Sequence, residues 1–455
     1  MKLLESKIFD CLNCCLASIQ NKLDNIRQNS FLLSNIDSFI LVSIFATFVV
    51  STFAQTEFIG LVSALVPVFV VLKVLITKNE KIELERCNFY LLIYLLICLI
   101  SNFTSSMIPQ SLYGFMKTLI YFAFYFAMCQ FLKNKKSAIL PILGVIAFLV
   151  SFECVVALVQ NTVGIQNIST WQDLSYVNPE DVLTRVYGTL KPYNPNLFAA
   201  YLIAGFPAVL AFFAICIKKC KIKSTIFSLI WVLICALVIF LTGCRGAYIA
   251  LFIILLGIVF ASYQVIFNDF CSEKLKTIWK SALAVCTIGS VSFLALNHGI
   301  LHRIMSIFIL RGDSSTSFRM NVYNSAIQMF QDNWLCGIGV GNKVFREIYG
   351  LYMLSGFDAL SCYCVFLEMA VESGILSLMA YLMFLGSLLF AGIRCFLQSK
   401  NYNYKVLLFI TFISIVAVMV HGFVDTVYFR PQVQYVFWTM VAILTVLVRK
   451  DKVTE

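Results

Sequence analysis

The sequence has little charge. Asp, Glu, Lys and Arg make up 13% of its 455 residues, against 60% hydrophobic residues. A mean hydropathy of +0.89 leaves more apolar surface than a water-soluble fold of this length can hide. A bilayer removes the need to hide it. Histidine is scarcer still, with three in the chain: His298, His302 and His421. The Cys11, Cys14, Cys15 cluster therefore finds no nearby histidine or second cysteine pair, and a four-ligand zinc site is not expected there. No carboxylate cluster of metal-site type is present, so neither metal nor cofactor is expected. Internal repeats and low-complexity linkers are missing too, which points to one membrane domain. A cleavable signal peptide is not expected, because residues 1–30 carry Lys2, Glu5, Lys7, Asp10, Lys22 and Arg27 ahead of the first long apolar run.

What is present is a series of apolar runs of spanning length. They lie near 36–54, 57–76, 88–104, 112–132, 137–161, 195–217, 225–242, 247–268, 280–298, 365–393, 405–423 and 431–448. The expected fold is all-α, a polytopic transmembrane bundle of about twelve helices with a large extracytoplasmic loop. Residues 1–35 form a cytoplasmic or interfacial segment, in which 4–19 suit an amphipathic helix lying on the membrane. Residues 36–448 form the transmembrane domain and 449–455 a cytoplasmic tail. Of the seventeen cysteines, most fall inside the apolar runs, where they act as small hydrophobes.

The net charge of +11 does not indicate nucleic acid, because its placement has another cause. Lysines and arginines cluster at 78–86, 133–136, 218–223, 274–280, 394–405 and 449–452, while the alternate loops at 55–57 and 105–111 carry none. The positive-inside rule then puts both termini in the cytoplasm. Two long loops, 162–194 and 299–364, fall outside, where long ordered loops are usually functional.

The outer side collects cations. Arg185 and Lys191 lie in R-V-Y-G-T-L-K-P-Y-N-P-N, Arg245 in T-G-C-R-G-A, Arg319 in S-F-R-M-N-V-Y, and Asp425 and Arg430 in H-G-F-V-D-T-V-Y-F-R-P. A guanidinium near the bilayer is costly unless something pairs with it. Its planar fork suits carboxylate or phosphate. The group points to an anionic ligand such as a lipid diphosphate or a small oxyanion. Pairing with Asp425, Asp313 or phospholipid headgroups is the plainer alternative. Asn194-Pro195-Asn196 opens a helix whose N-terminus either receives an anion or is simply capped. Gly337, Gly339 and Gly341 match a dinucleotide loop only weakly, and a tight turn seating the outer loop is the better reading.

In order along the chain, these strings resemble the O-antigen ligase and polymerase superfamily of bacterial membrane proteins. The carriers are Thr242–Ala247 for a T-G-S-R-G-type element, Arg319 with Tyr323 and Ala326, and the turn from Trp334 to Asn342. Arg185–Leu190 with Asn194–Asn196, Phe318–Val322, Ala359–Glu368 and Val424–Pro431 resemble most the IctB-type branch of putative inorganic-carbon transporters. The resemblance spans roughly 140–445. It implies an enzyme that transfers glycan from a polyprenyl-diphosphate donor at the outer face, without metal. Arg185, Lys191, Arg245, Arg319 and Arg430 are then the anion-binding candidates. Membrane lipids and the lipid-linked glycan are the implied partners.

The family's loop histidine is replaced here by Tyr363, a poor base at neutral pH with an ordinary pKa of about 10. The candidate bases are Asp358, Glu368, Glu372 and His421, each of which has capping or pairing at a helix end as its plainer role. The alternative function is a bicarbonate transporter or accessory. Few ionisable residues lie deep in the spans to line such a path: Glu153 in the fifth, and Lys73 in the second, which can snorkel to the interface.

Overall fold

The computed structural model describes residues 2–78, 80–85, 87–164, 185–219, 221–270, 272–296 and 314–449. Among these residues every regular element is a helix. The main ones are α1 Lys2–Asn29, α2 Ile36–Phe53, α3 Thr56–Ile76, α4 Asn88–Thr104, α5 Ile108–Asn134, α6 Ile139–Val163, α7 Pro195–Lys218, α8 Ile222–Leu241, α9 Arg245–Tyr263, α10 Glu273–Leu296, α11 Ser314–Asp332, α12 Asn342–Tyr349, α13 Val365–Gln398, α14 Tyr402–His421 and α15 Pro431–Val448.

Ten helices among the described residues are long and apolar enough to cross a membrane, and α4 is a shorter apolar helix. The predicted ninth span, 280–298, falls on α10, which ends at the edge of the described residues. His298, His302 and Asp313 lie outside those residues, as do 165–184 and 297–313 of the two predicted outer loops.

α15 is the axis of the bundle: 94% of its spanning window is buried, against 17% in α8 and 11% in α9. Trp438 and Tyr435 of α15 pack edge-on against Phe122 and Phe124 of α5. α4 runs along α13, and α14 lies against both α7 and α9. Conversely, α8 presents Ile226, Phe227, Ile230, Leu233 and Leu237 outward. An apolar face of that extent is stable only against lipid tails.

The two ends of the bundle differ. At one, basic side chains find acidic partners. Asp37 receives Lys73 at 2.9 Å and Lys135 at 3.1 Å, Lys405 reaches Asp269 at 2.6 Å, and Arg449 pairs with Glu83 and Glu85. Lys73 thus ends on a carboxylate at the helix boundary. The other end carries the loop residues 185–194, the Thr242–Cys244 turn, α11, α12 and the loop before α13.

A break in α13 docks this second end. Gly374 has φ +80° inside the helix, a conformation that favours glycine, and a Cβ there would stand 2.1 Å from the Leu335 carbonyl oxygen. The break releases helix carbonyls. Val371 O accepts from Ile338 N at 3.0 Å, Glu372 O accepts from Gly339 N at 2.9 Å, and Ile375 N donates to Trp334 O at 2.8 Å. Ser101 of α4 donates to the same Glu372 carbonyl, and Ser105 donates to Ile338 O. The glycine turn 337–341 therefore seats the outer-loop segment on α4 and α13. Buried backbone polar groups at membrane depth are satisfied in this way, without water.

Candidate functional site

The loop that carries Arg185 is sewn to α6. Gln160 accepts from Tyr187 N and Gly188 N and donates to Gly188 O, while Glu153 accepts from Thr189 N at 2.8 Å and from the Thr189 hydroxyl. Glu153, the deep carboxylate of the fifth predicted span, thus holds a loop. Gly188 has φ +65°, and a Cβ there would meet Glu153 Oε2 at 2.3 Å, so this close approach needs glycine.

So anchored, Arg185 lies over the Thr242–Cys244 turn. Its Nε donates to Thr242 O at 2.7 Å, and its Nη2 donates to Asn196 Oδ1 at 2.5 Å. Asn196, in the first turn of α7, donates in turn from Nδ2 to Asp425 Oδ2 at 3.0 Å. Asp425 Oδ2 lies 3.8 Å from Arg319 Nη2, and Arg319 Nη1 donates to Val424 O at 2.7 Å. One asparagine and one aspartate therefore join two guanidiniums that are remote in sequence. Arg319 also stacks on Tyr363, 5.3 Å from the ring centroid, a favourable cation–π geometry.

Beneath this bridge sits a thiol–imidazole contact. Cys244 Sγ lies 3.4 Å from His421 Nε2, and both residues are buried. A Cβ on Gly246 would meet Val424 Cγ2 at 2.6 Å and His421 Cδ2 at 3.3 Å, so glycine there permits α9 to approach the end of α14. Burial pushes the Cys244 thiol up, but the charge and hydrogen bond of His421 outweigh it and leave the thiol below its ordinary value. Burial pulls Arg185 below the usual guanidinium value, against the opposing effects of Cys244, Tyr248 and Asp425. At Tyr363, burial first and Asp425 second push the phenol up, and Arg319 opposes them. Tyr363 thus carries even less phenolate at neutral pH than free tyrosine, so it is poorly placed to act as a base.

The remaining candidates separate. Arg245 stands exposed at the first position of α9, beside Cys244. Arg430 caps α15, and its charge reaches Tyr121 of α5. Lys191 is half-buried, and its carbonyl accepts from Gln432 Nε2 at 3.0 Å. Asp358 pairs with Arg346 at 3.0 Å on the exposed loop. Glu368 and Glu372, one turn apart on α13, are both buried. Glu368 Oε2 accepts from Cys362 N at 3.1 Å, and Glu372 Oε1 accepts from Gly341 N at 2.8 Å. Each carboxylate thus holds a loop backbone, and each also lines a cavity. Glu368 lines the cavity and lies within electrostatic reach of Asp425, a member of the guanidinium bridge.

From sequence, Asn194-Pro195-Asn196 opens a helix whose N-terminus either receives an anion or is simply capped, and the bridging role of Asn196 was not foreseen. Cys244 was absorbed into its motif. A usable signal existed for Asn196: an amide in a first helical turn, between arginine-bearing strings, has donor and acceptor to offer both signs of charge.

A family model described as O-antigen ligase matches residues 230–382. The matched stretch contains Cys244, Arg245, Arg319, the glycine turn, Glu368 and Glu372, and leaves Arg185, Asn196 and Asp425 outside it. The match supports the O-antigen ligase superfamily and an O-antigen ligase-like function for this multi-pass chain. No curated protein sequence matches the chain.

Proposed function

We propose that the chain is a glycosyltransferase of the O-antigen ligase type, taking glycan from a polyprenyl-diphosphate donor at the outer face of the bacterial inner membrane. The observation that carries this reading is the Arg185–Asn196–Asp425–Arg319 bridge. Two guanidiniums against one carboxylate leave net positive charge at the end of the bundle where a lipid headgroup would arrive. A diphosphate needs more than one cationic partner. When the acceptor hydroxyl attacks the anomeric carbon, the bond to the diphosphate breaks and negative charge grows on the leaving oxygens. Arg185 and Arg319 stabilise that charge, with Arg245 at the exposed rim of the same turn. Glu368 takes the hydroxyl proton, since it alone of the four candidate bases combines a cavity-lining position with proximity to the bridge. Glu372 holds the glycine turn, His421 is held by Cys244, and Asp358 is held by Arg346.

The test is transfer from a polyprenyl-diphosphate glycan in reconstituted membranes. Glu368→Gln is expected to abolish turnover while donor binding persists. Single replacements of Glu372, His421 and Asp358 are expected to leave more activity than Glu368→Gln. Full activity in Glu368→Gln would remove that residue from its role. If wild-type protein transfers nothing from any donor, yet liposomes show arginine-dependent bicarbonate flux, the transporter reading replaces the enzyme.

A further inference from the structure

A cavity of about 150 Å³ opens between α4, α5, α12, α13 and α15, with Glu368 in its lining and none of the four bridge residues among the residues that line it. Its deep wall is aromatic: Tyr94, Tyr381, Tyr428 and Trp438 line it and are buried. Glu368 and Glu372 are the carboxylates in that wall. One oxygen of each accepts from a backbone N–H, and both residues line the cavity, so each has a second oxygen with which to accept from a ligand. Lys117 and Lys343 also line it, and both are exposed, at its mouth. The cavity is therefore graded, with rings and acceptors inside and ammonium groups outside.

A lysine in an apolar run that faces a cavity is a functional-site signal in a membrane protein, because its burial in lipid is costly. The Lys117 ammonium lies 4.6 Å from the Tyr113 ring centroid, which holds it near the mouth. A free inorganic anion suits this cavity poorly, since two carboxylates stand in its floor. An apolar chain suits it equally poorly, because the same oxygens would lose their hydration without a donor. A sugar ring fits both features: its hydroxyls donate to carboxylates and its C–H face packs on aromatic rings. Pockets for drug-sized ligands measure about 300 Å³ and more, so this smaller space suits one terminal ring.

We propose that this cavity is the acceptor subsite and that it takes the end of an acidic saccharide. One terminal sugar places its hydroxyls on Glu368 and Glu372, and an acidic group, carboxylate or phosphate, meets Lys117 and Lys343. The assignment of the sugar as an acceptor rests on the transfer reading above. The binding chemistry does not, and it is tested apart from transfer.

The protein in lipid nanodiscs is titrated by calorimetry with methyl glucoside, methyl glucuronide and glucose 6-phosphate. The two acidic probes are expected to bind more tightly than the neutral one, and their ranking identifies the acid as carboxylate or phosphate. Lys117→Gln and Lys343→Gln each remove about fivefold of that preference, the scale of an exposed ion pair. The neutral probe is expected to bind these two variants as it binds wild type. Both lysines are exposed, so these variants fold. Glu372→Gln weakens all three probes together, with thermal unfolding checked because Glu372 also holds Gly341. Equal binding of neutral and acidic probes to wild type, preference unchanged in both lysine variants, or no binding of either acidic probe overturns the proposal. Failure of glycan transfer with these affinities intact overturns the enzyme reading and leaves the saccharide site standing.

Discussion

Replacing Asn196 by aspartate exchanges an NH₂ group for an oxygen and tests the bridge at its centre. The retained oxygen still accepts from Arg185, but the new one stands where Nδ2 was, 3.0 Å from Asp425 Oδ2. Two unit charges at that separation repel by roughly 5 kcal/mol at an effective dielectric constant near 20. Asn196 is only half-buried, so water reduces the effect, and about 2 kcal/mol is the expected net cost. In affinity for a polyprenyl diphosphate that is about thirtyfold. The sign of the pH dependence follows from the like charges. Each carboxylate disfavours ionisation of the other, so the pair takes up a proton as pH falls. A shared O–H then replaces the lost N–H donor, and the loss relative to wild type shrinks. Asn196→Leu has no such proton to regain, and its loss should stay constant relative to wild type across the same range. The assay is lipid-diphosphate binding in nanodiscs at pH 8, 7, 6 and 5, with wild type measured at each. Wild-type affinity in Asn196→Asp at pH 8, or the same flat loss in both variants, refutes the bridge as the organiser of the site.

Arg185→Lys and Arg319→Lys should each lower transfer by on the order of a hundredfold, because lysine keeps the charge but cannot donate to two partners along one plane. Tyr363→Phe should lower transfer far less, since the ring under Arg319 remains and the phenol is not the base. Gly374→Ala should cost on the order of 3 kcal/mol or more, because a Cβ meets Leu335 O at 2.1 Å in a strained conformation; thermal unfolding reads the loss, and faster alkylation of Cys336 reads release of the turn. Cysteines introduced at 133–136 should be labelled only from the cytoplasm and those at 342–347 only from outside, and the reverse pattern would invert the orientation and remove the outer-face site.

The fold was legible because spanning length and hydropathy are properties of single segments. Eleven of the predicted runs coincide with apolar helices, and the glycine turn sits where a tight docking turn was expected. The site was legible only in kind. The convergence expected from sequence was of Arg245 with Arg319; the bridge instead joins Arg319 to Arg185, and Arg245 stands exposed at the first position of α9. Neighbouring residues at a turn leave it in different directions. Gly243, at φ +65°, makes room for the Arg185 side chain, whose Nε a Cβ there would meet at 3.1 Å. Such a contact joins two segments separated by two helices, and no local pattern encodes it.

The carboxylates show the same division between what a segment encodes and what only packing creates. Glu368 and Glu372, four residues apart, were certain to share a face of a helix. Which face, and against what, depends on the break at Gly374, because the freed carbonyls draw the glycine turn onto α13 and bring Gly341 N to Glu372. Without the turn, the buried Glu372 carboxylate would lose the Gly341 N–H that anchors it, a costly loss for a buried polar group. The turn, the helix break and the buried acid therefore require one another. A backbone N–H bond to one oxygen anchors Glu372 and leaves the other for a ligand. Structural and binding roles are thus compatible in one residue, and mutation of Glu372 is expected to move stability and saccharide affinity together, whereas Lys117 moves affinity alone.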